Sequence, residues 1–405
     1  MEKKYLYFQP EYVGKFKCDG ANCPHNCCEQ GWNIEIDKAT YNQYRKLKPE
    51  SKAQEIIRHF VYYAKSDKYF LEGRPCPFLD ENKLCRIQRE LGEKFLSLTC
   101  ATYPRYTRDF GKYFERSLTL SCPIAAKMIL LPEEPMKFEF VEVSEKIHSG
   151  GGKIGLAPVY TLKEFSAHIL EIQVAMISIL QERTLSINQR LIVLGFFLDK
   201  LDELISAGCD ENALVKLLSV YESKNFLAEQ VPRMVRAITF NSQEFIRLML
   251  VIIDSIYSSV KLGGNRKYLD AVTDVLGIMP DENKFVATKK VADNYNRLAA
   301  ARKNFLDKYS PFLENFLVNE LFMNCYPWRL EESIAKNYGV FIATYKIFEL
   351  MIFAATTEIS ADKKDLLKLV DWFSVQFDHV KEFPQIISEH IAGDIFELME
   401  SLLEQ

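Results

Sequence analysis

Apolar positions recur at two different periods along the chain, and the change of period divides it. Beyond residue 160 the spacing is helical, with apolar residues at i, i+3, i+4 and i+7 in several segments. TLKEFSAHILEIQVAMISILQE opens with Thr161 and Glu164 in a capping-box arrangement. SINQRLIVLGFFLDKLDELISAG runs from Ser186 as N-cap to Gly208 as the stop. The same period predicts helices over 211–223, 227–238, 243–260, 265–277, 282–308, 311–324, 329–355, 361–380 and 384–404. The C-terminal two-thirds therefore reads as an all-α multi-helix domain.

Before residue 148 the pattern is irregular. Alternation at Trp32, Ile34 and Ile36 predicts a short strand, Asp37 is placed to cap a helix running to about Leu47, and a second helical piece is expected over 50–65. In GRPCPFLDENKLCRI a turn at Asp80, Glu81 and Asn82 brings Cys76 and Cys85 together. Residues 103–120 read as a hairpin turning near Asp109–Gly111. The segment SGGGKIGLAP, 149–158, reads as a glycine-rich linker. A phosphate loop there would need Gly at 147 and Ser or Thr at 154, where the chain has Ile147 and Ile154. The fold class expected is mainly α. A small, irregular α+β cysteine-rich metal-binding domain, 1–148, is followed across that linker by an all-α multi-helix domain, 159–405.

Composition changes this picture in one respect. The chain has 405 residues, 48% of them hydrophobic, which suits an ordinary globular protein. The start, MEKKYLYFQPEYVGKFKC, has no apolar run of signal-peptide length. The longest apolar windows are broken by Arg247, Asp254 or Glu349, so the expectation is a soluble, cytoplasmic protein with no membrane partner. Net charge is −4, but residues 1–130 carry 22 basic against 16 acidic residues. That surplus of 6 is too small to argue for a nucleic-acid partner.

The informative residues are the cysteines. Eight of ten, Cys18, Cys23, Cys27, Cys28, Cys76, Cys85, Cys100 and Cys122, fall within 105 residues, while Cys209 and Cys325 stand alone as plain buried thiols. Clustered thiols in a reducing compartment point to metal ligands rather than disulfides. The steps Cys18-x4-Cys23 and Cys23-x3-Cys27 can wrap one metal, and the four later cysteines can close that site or build a second. A plant-type ferredoxin loop would place a third cysteine at 26, where the chain has Asn26. Spacing leaves zinc and iron–sulfur open, and His25 within the loop reads as a solvated residue or one that supports the ligands rather than as a replacement for a thiol. Adjacent Cys27 and Cys28 point to opposite faces of an extended backbone, so one of them is available to a second site or function.

TYPRYTRDFGKYFER interleaves Arg105, Arg108, Lys112 and Arg116 with aromatic residues. Such a mixture can anchor a carboxylate or phosphate, hold a lysine side chain, or bind single strands. The plainer reading is a two-faced hairpin with its aromatics packed and its charges solvated.

The order PEYVGKFKCDGANCPHNCCEQGWNIEID, CPFLDENKLCRIQRELGEKFLSLTCATYPR and the Ser-Cys-Pro at 121–123 resembles the flagellin lysine-N-methylase family, within a wider group of cysteine-rich zinc- or iron-chelating domains. The resemblance is detailed over about residues 8–125 and covers the helical remainder in length and character only. It implies a cytoplasmic enzyme that transfers methyl groups from S-adenosylmethionine to flagellin lysine ε-amines, and a cysteine-bound [4Fe–4S] cluster, with zinc as the alternative. A lysine, pKa ~10.4, must lose its proton before it attacks a methyl sulfonium, and burial beside aromatics and a cation helps it do so. On that reading Tyr103 and Tyr106 line the approach of the amine as catalytic residues, and Arg105 binds the cofactor carboxylate. The competing class is a non-catalytic metal-binding or redox module whose helical domain recruits a protein partner.

Overall fold

A computed structural model describes residues 4–24, 26–29, 34–73, 75–144, 168–208, 210–259, 267–278, 289–358, 361–379 and 383–404. The expected linker at 149–158, the Thr161 capping box, Trp32, His25 and Cys209 lie outside these residues. The chain forms two compact units: Met1–Met128 with Lys137–Ile154, and Ile129–Met136 with Gly155–Gln405.

The first unit begins with strand β1 (Tyr5–Pro10) and helix α1 (Glu11–Lys15). Strand β2 (Ile34–Ile36) leads into helix α2 (Lys38–Arg45), where Asp37 is the N-cap and accepts a hydrogen bond from the backbone N–H of Thr40 at 2.9 Å. Helix α3 (Glu50–Ile57) is shorter than the 50–65 expected. The residues after it, Phe60–Tyr63, are aromatic and β-branched and form strand β3. They pair with β4 (Lys68–Leu71) across a turn in which Asp67 has φ 52°. The second sheet so formed has the order β2-β4-β3.

Helices α4 (Arg86–Leu91) and α5 (Leu98–Thr102) follow, then the hairpin β5 (Arg105–Asp109) and β6 (Phe114–Leu118), with Gly111 at φ 82° in its turn. Helix α6 (Pro123–Leu130) and strand β7 (Phe138–Val143) complete the series. The larger sheet runs β5-β6-β1-β7, with β1 parallel to β6 and the other pairings antiparallel. This corrects the two-faced hairpin. Because β1 pairs along its second edge, β6 is internal and buried at every position, Glu115 and Arg116 included.

The second unit is all-α: α7 (Ile169–Leu180), α8 (Ile187–Ser206), α9 (Glu211–Glu222), α10 (Lys224–Ala237), α11 (Ser242–Ser259), α12 (Lys267–Leu276), α13 (Lys289–Arg297), α14 (Ala299–Asn324), α15 (Ile334–Glu358), α16 (Lys363–His379), α17 (Phe383–His390) and α18 (Ile395–Leu402). Ser186 caps α8 in a capping box with Gln189, and Gly208 follows its end at φ 96°. Helix α15 forms the centre, packed by α8, α12, α14, α17 and α18. It is long and apolar enough to cross a membrane, yet 94% of its apolar window is buried inside the protein.

Four boundaries differ from the sequence reading. The expected segment 282–308 breaks at Leu298, and α14 then runs through Pro311. Its C-terminal half is buried on all sides, so packing outweighs the backbone bond that proline forfeits. Helix α15 starts at Ile334 rather than 329, because the Asn337 side chain binds the preceding loop at Leu330, Glu332 and Ser333. The segment 384–404 splits at Gly393, φ 104°, where Asp394 caps α18.

Candidate metal centre

The eight clustered cysteines are brought to one place. In the first unit a cavity of about 370 Å³ is lined by Cys18, Cys23, Cys27, Cys28, Cys76, Cys85, Cys100 and Cys122, and no disulfide joins any of them. Four pieces of local structure deliver them.

The first is the turn between Cys76 and Cys85. Asp80 accepts hydrogen bonds from the backbone N–H groups of Asn82 and Leu84, each at 2.9 Å, and its other carboxylate oxygen pairs with Arg89. These donors, the Leu84 N–H foremost, hold the Asp80 carboxyl below its usual range. The turn closes into a bridge between Leu79 and Cys85. Both cysteines rest against a small core of Ile36, Tyr44, Ile56, Phe78 and Ile87.

The second is the loop bearing Cys18, Cys23, Cys27 and Cys28. Asn26, at the position where a ferredoxin-type spacing would have a ligand, is 7% exposed and ties this loop to the turn. Its amide oxygen accepts from the Cys28 N–H at 2.9 Å, and its Nδ2 donates to the Lys83 carbonyl at 2.8 Å. The Cys76 N–H donates to the Cys28 carbonyl at 2.9 Å. Asn26→Ala is expected to leave the Cys28 N–H and the Lys83 carbonyl unmet, at about 1–3 kcal/mol. Amide hydrogen exchange at Cys28 should then quicken by roughly tenfold or more; unchanged exchange would remove Asn26 from this role.

The third is α5. Ser97 caps it by accepting from the Cys100 N–H at 3.3 Å, and Asp37 reaches across to accept from the Leu98 N–H at 3.1 Å. One carboxylate thus anchors both α2 and α5. Burial works against the Asp37 charge, but the Thr40 and Leu98 donors outweigh it and hold the carboxyl below its usual range. The fourth is the start of α6, where Cys122 is buried. Burial pushes its thiol up to about 11.

Cys28 stands between Cys27 and Cys76 in thiol–thiol contact. A hydrogen bond from Cys28 draws down whichever neighbour accepts it, and the Cys28 thiol is itself pushed up. Cys28 has a single proton, so only one acceptor benefits at a time. Cys100 is accessible to water yet ringed by protein, as a thiol facing an open cavity is, and burial pushes it up to about 12. Eight free thiols around one cavity suit a soft or borderline metal in donor type and number. Among the described residues no three donors already enclose a single ion.

Tyr103 and Arg105 lie on the wall of this cavity; Tyr106 does not. The Tyr103 hydroxyl is 3.3 Å from Ser121 Oγ. The Arg105 guanidinium lies 5.1 Å over the Phe16 ring. Tyr106 is 40% exposed, with Arg108 over its ring. Cys325, in the second unit, is 2% exposed. No local pattern marks Asn26 as the stitch, because its role depends on a carbonyl 57 positions away.

A family model described as the FliB lysine N-methylase C-terminal domain matches residues 173–403, more than half of the chain. The chain belongs to the FliB lysine N-methylase family. A lysine-N-methylase of Salmonella typhimurium is 24% identical to it over 401 residues, covering 96% of each chain, and one of Salmonella choleraesuis stands at the same figures. A flagellar biosynthetic protein FliU of Salmonella muenchen is 32% identical over 140 residues, 33% of this chain and 82% of that relative. No solved structure matches the chain. The match to the FliB model falls in the helical unit, whereas the thiol cavity belongs to the other.

Proposed function

We propose that this member of the lysine N-methylase family transfers a methyl group from S-adenosylmethionine to lysine ε-amines of flagellin, in the cytoplasm, at the thiol-lined cavity. The observation that carries the reading is the placement of Tyr103 and Arg105 on the wall that all eight thiols share. The flagellar name of one relative and the methylase names of two others support the substrate.

In the transfer, the lone pair of a neutral lysine nitrogen attacks the methyl carbon, and the carbon–sulfur bond breaks with its electrons remaining on sulfur. S-adenosylhomocysteine leaves, and the methylated ammonium gives up a proton to solvent. The chain's part is to deliver the amine uncharged. A lysine with pKa ~10.4 is lowered by desolvation and by a nearby cation. Tyr103 offers a hydroxyl and an aromatic wall, and Arg105 the positive charge. Tyr106, exposed, serves substrate contact at most.

The cysteines would hold an iron–sulfur cluster, [4Fe–4S] by our reading, with zinc the competing occupant; bound there, it braces the loops or supplies redox capacity. The test is incubation of anaerobically purified protein with flagellin and labelled methyl donor, with metal content measured alongside. Methyl-lysine formation is expected, with about four irons per chain. Intact metal without methyl-lysine would leave a non-catalytic metal-binding module instead.

A further inference from the structure

Asn26 divides the cysteines of its loop. Cys18 and Cys23 precede it, while Cys27 and Cys28 follow it and lie against the turn, where the Cys76 N–H donates to the Cys28 carbonyl at 2.9 Å. Cys76 and Cys85 pack against the small core that contains Tyr44 and Phe78. Cys100 joins them from α5, which Asp37 ties to α2, the helix that carries Tyr44. Burial first, and then Cys100, Cys85 and Cys76, push the Tyr44 hydroxyl up. After burial, the thiols that raise Cys100 are Cys85, Cys76 and Cys27.

The other three stand along the wall of Tyr103 and Arg105. Cys122 directly precedes α6 and follows Ser121, whose Oγ is 3.3 Å from the Tyr103 hydroxyl. The Thr119 N–H donates to the Pro104 carbonyl at 3.0 Å, which holds this segment to the start of β5. Cys18 lies two residues after Phe16, over whose ring the Arg105 guanidinium sits at 5.1 Å. The Cys23 N–H donates to the Gly20 carbonyl at 3.1 Å, a turn that folds Cys23 back towards Cys18. After burial, the thiols that raise Cys122 are Cys23 and Cys18.

Ligand number gives the two groups different chemistry. Five thiols close a tetrahedral site with one to spare, whereas three leave a position open for a ligand from outside the chain. Among the described residues neither group yet encloses an ion, and closure of such loops accompanies metal binding. Lys17 and Arg105 line the same cavity next to Cys18 and Phe16, so an anionic donor suits the open position.

We propose that the eight thiols form two metal centres rather than one: a closed centre drawn from Cys27, Cys28, Cys76, Cys85 and Cys100, and an open one held by Cys18, Cys23 and Cys122, whose free position takes a small anion. The division rests on the reading above that these thiols hold metal, and not on methyl transfer.

The test uses the reduced, full-length protein titrated anaerobically with cobalt(II), whose thiolate absorption reports each centre, and with azide as the anion. The unmodified chain is expected to bind about two cobalt ions. Cys18→Ser, Cys23→Ser and Cys122→Ser made together should leave about one, in a centre whose spectrum azide does not alter. Cys76→Ser, Cys85→Ser and Cys100→Ser made together should also leave about one, and azide should shift its spectrum. If this second variant does not fold, the first decides the matter alone: azide must shift the spectrum of the unmodified protein and not that of the variant. Loss of all cobalt from the first variant would overturn the division, and so would an azide shift that persists in it. Cobalt-thiolate absorption absent from the unmodified protein would sink both the division and the metal reading on which it rests.

Discussion

Glu314→Ala is expected to destabilise the helical unit by about 3–5 kcal/mol. Glu314 is fully buried on α14 and takes both of its neighbours' charges. Arg183 donates from Nε at 2.9 Å to Oε2 and from Nη2 at 2.8 Å to Oε1, and Arg190 donates from Nη1 at 2.8 Å to Oε2. Arg183 is about one-third exposed and can turn to water. Arg190 is 2% exposed, with further bonds to the carbonyls of Leu180 and Leu185, and it cannot. Truncating the carboxylate therefore strands a cation in a core of low polarity, which costs more than the lost pair was worth. Urea unfolding of the full chain, followed by a probe in α15, measures the effect. A double variant, Glu314→Leu with Arg190→Met, should recover most of the loss, since it removes both charges together. A loss below about 1 kcal/mol for the single variant would mean that water reaches Arg190 after all.

What could be read beforehand was mostly local. The caps at Asp37 and Ser186, the stop at Gly208 and the turn at Asp80 each depend on residues within four positions, and all appear where the sequence places them. The convergence of Cys76 and Cys85 followed from that turn. Strands β1 and β7 went unread because neither is defined by its own pattern: Phe8 pairs with Phe140, and the loop closed between them exceeds a hundred residues. The same non-local pairing hid Arg116. In the string FERSL it looks like a solvated charge on a hairpin, and only the arrival of β1 in parallel turns its strand into an interior one. Local propensity likewise broke α14 at Pro311, where burial on all sides carries the helix through.

Metal removal is expected to unfold the cysteine-bearing loops, and magnitudes indicate why. Fixing the backbone costs about 1–2 kcal/mol per residue. Across Cys18–Glu29 the sequence offers few apolar anchors, and hydrogen bonds such as those of Asn22, Cys23, Asn26, Glu29 and Cys76 contribute about 1 kcal/mol each. Those bonds do not offset the ordering, and the apolar core of Ile36, Tyr44, Ile56, Phe78 and Ile87 lies beneath the turn rather than the loop. In the proposed function, ligation by thiols drawn from four separate segments would supply the difference, and metal-binding free energy would there be folding free energy. Chelation should therefore abolish exchange protection at residues 18–29 and weaken it through 76–102, while α15, whose protection rests on its own buried packing, keeps its slow amides. Cys28→Ser, which removes the thiol between Cys27 and Cys76, should release more metal than Cys122→Ser does. Full protection of residues 18–29 in metal-free protein would show that the eight thiols are not what holds this loop.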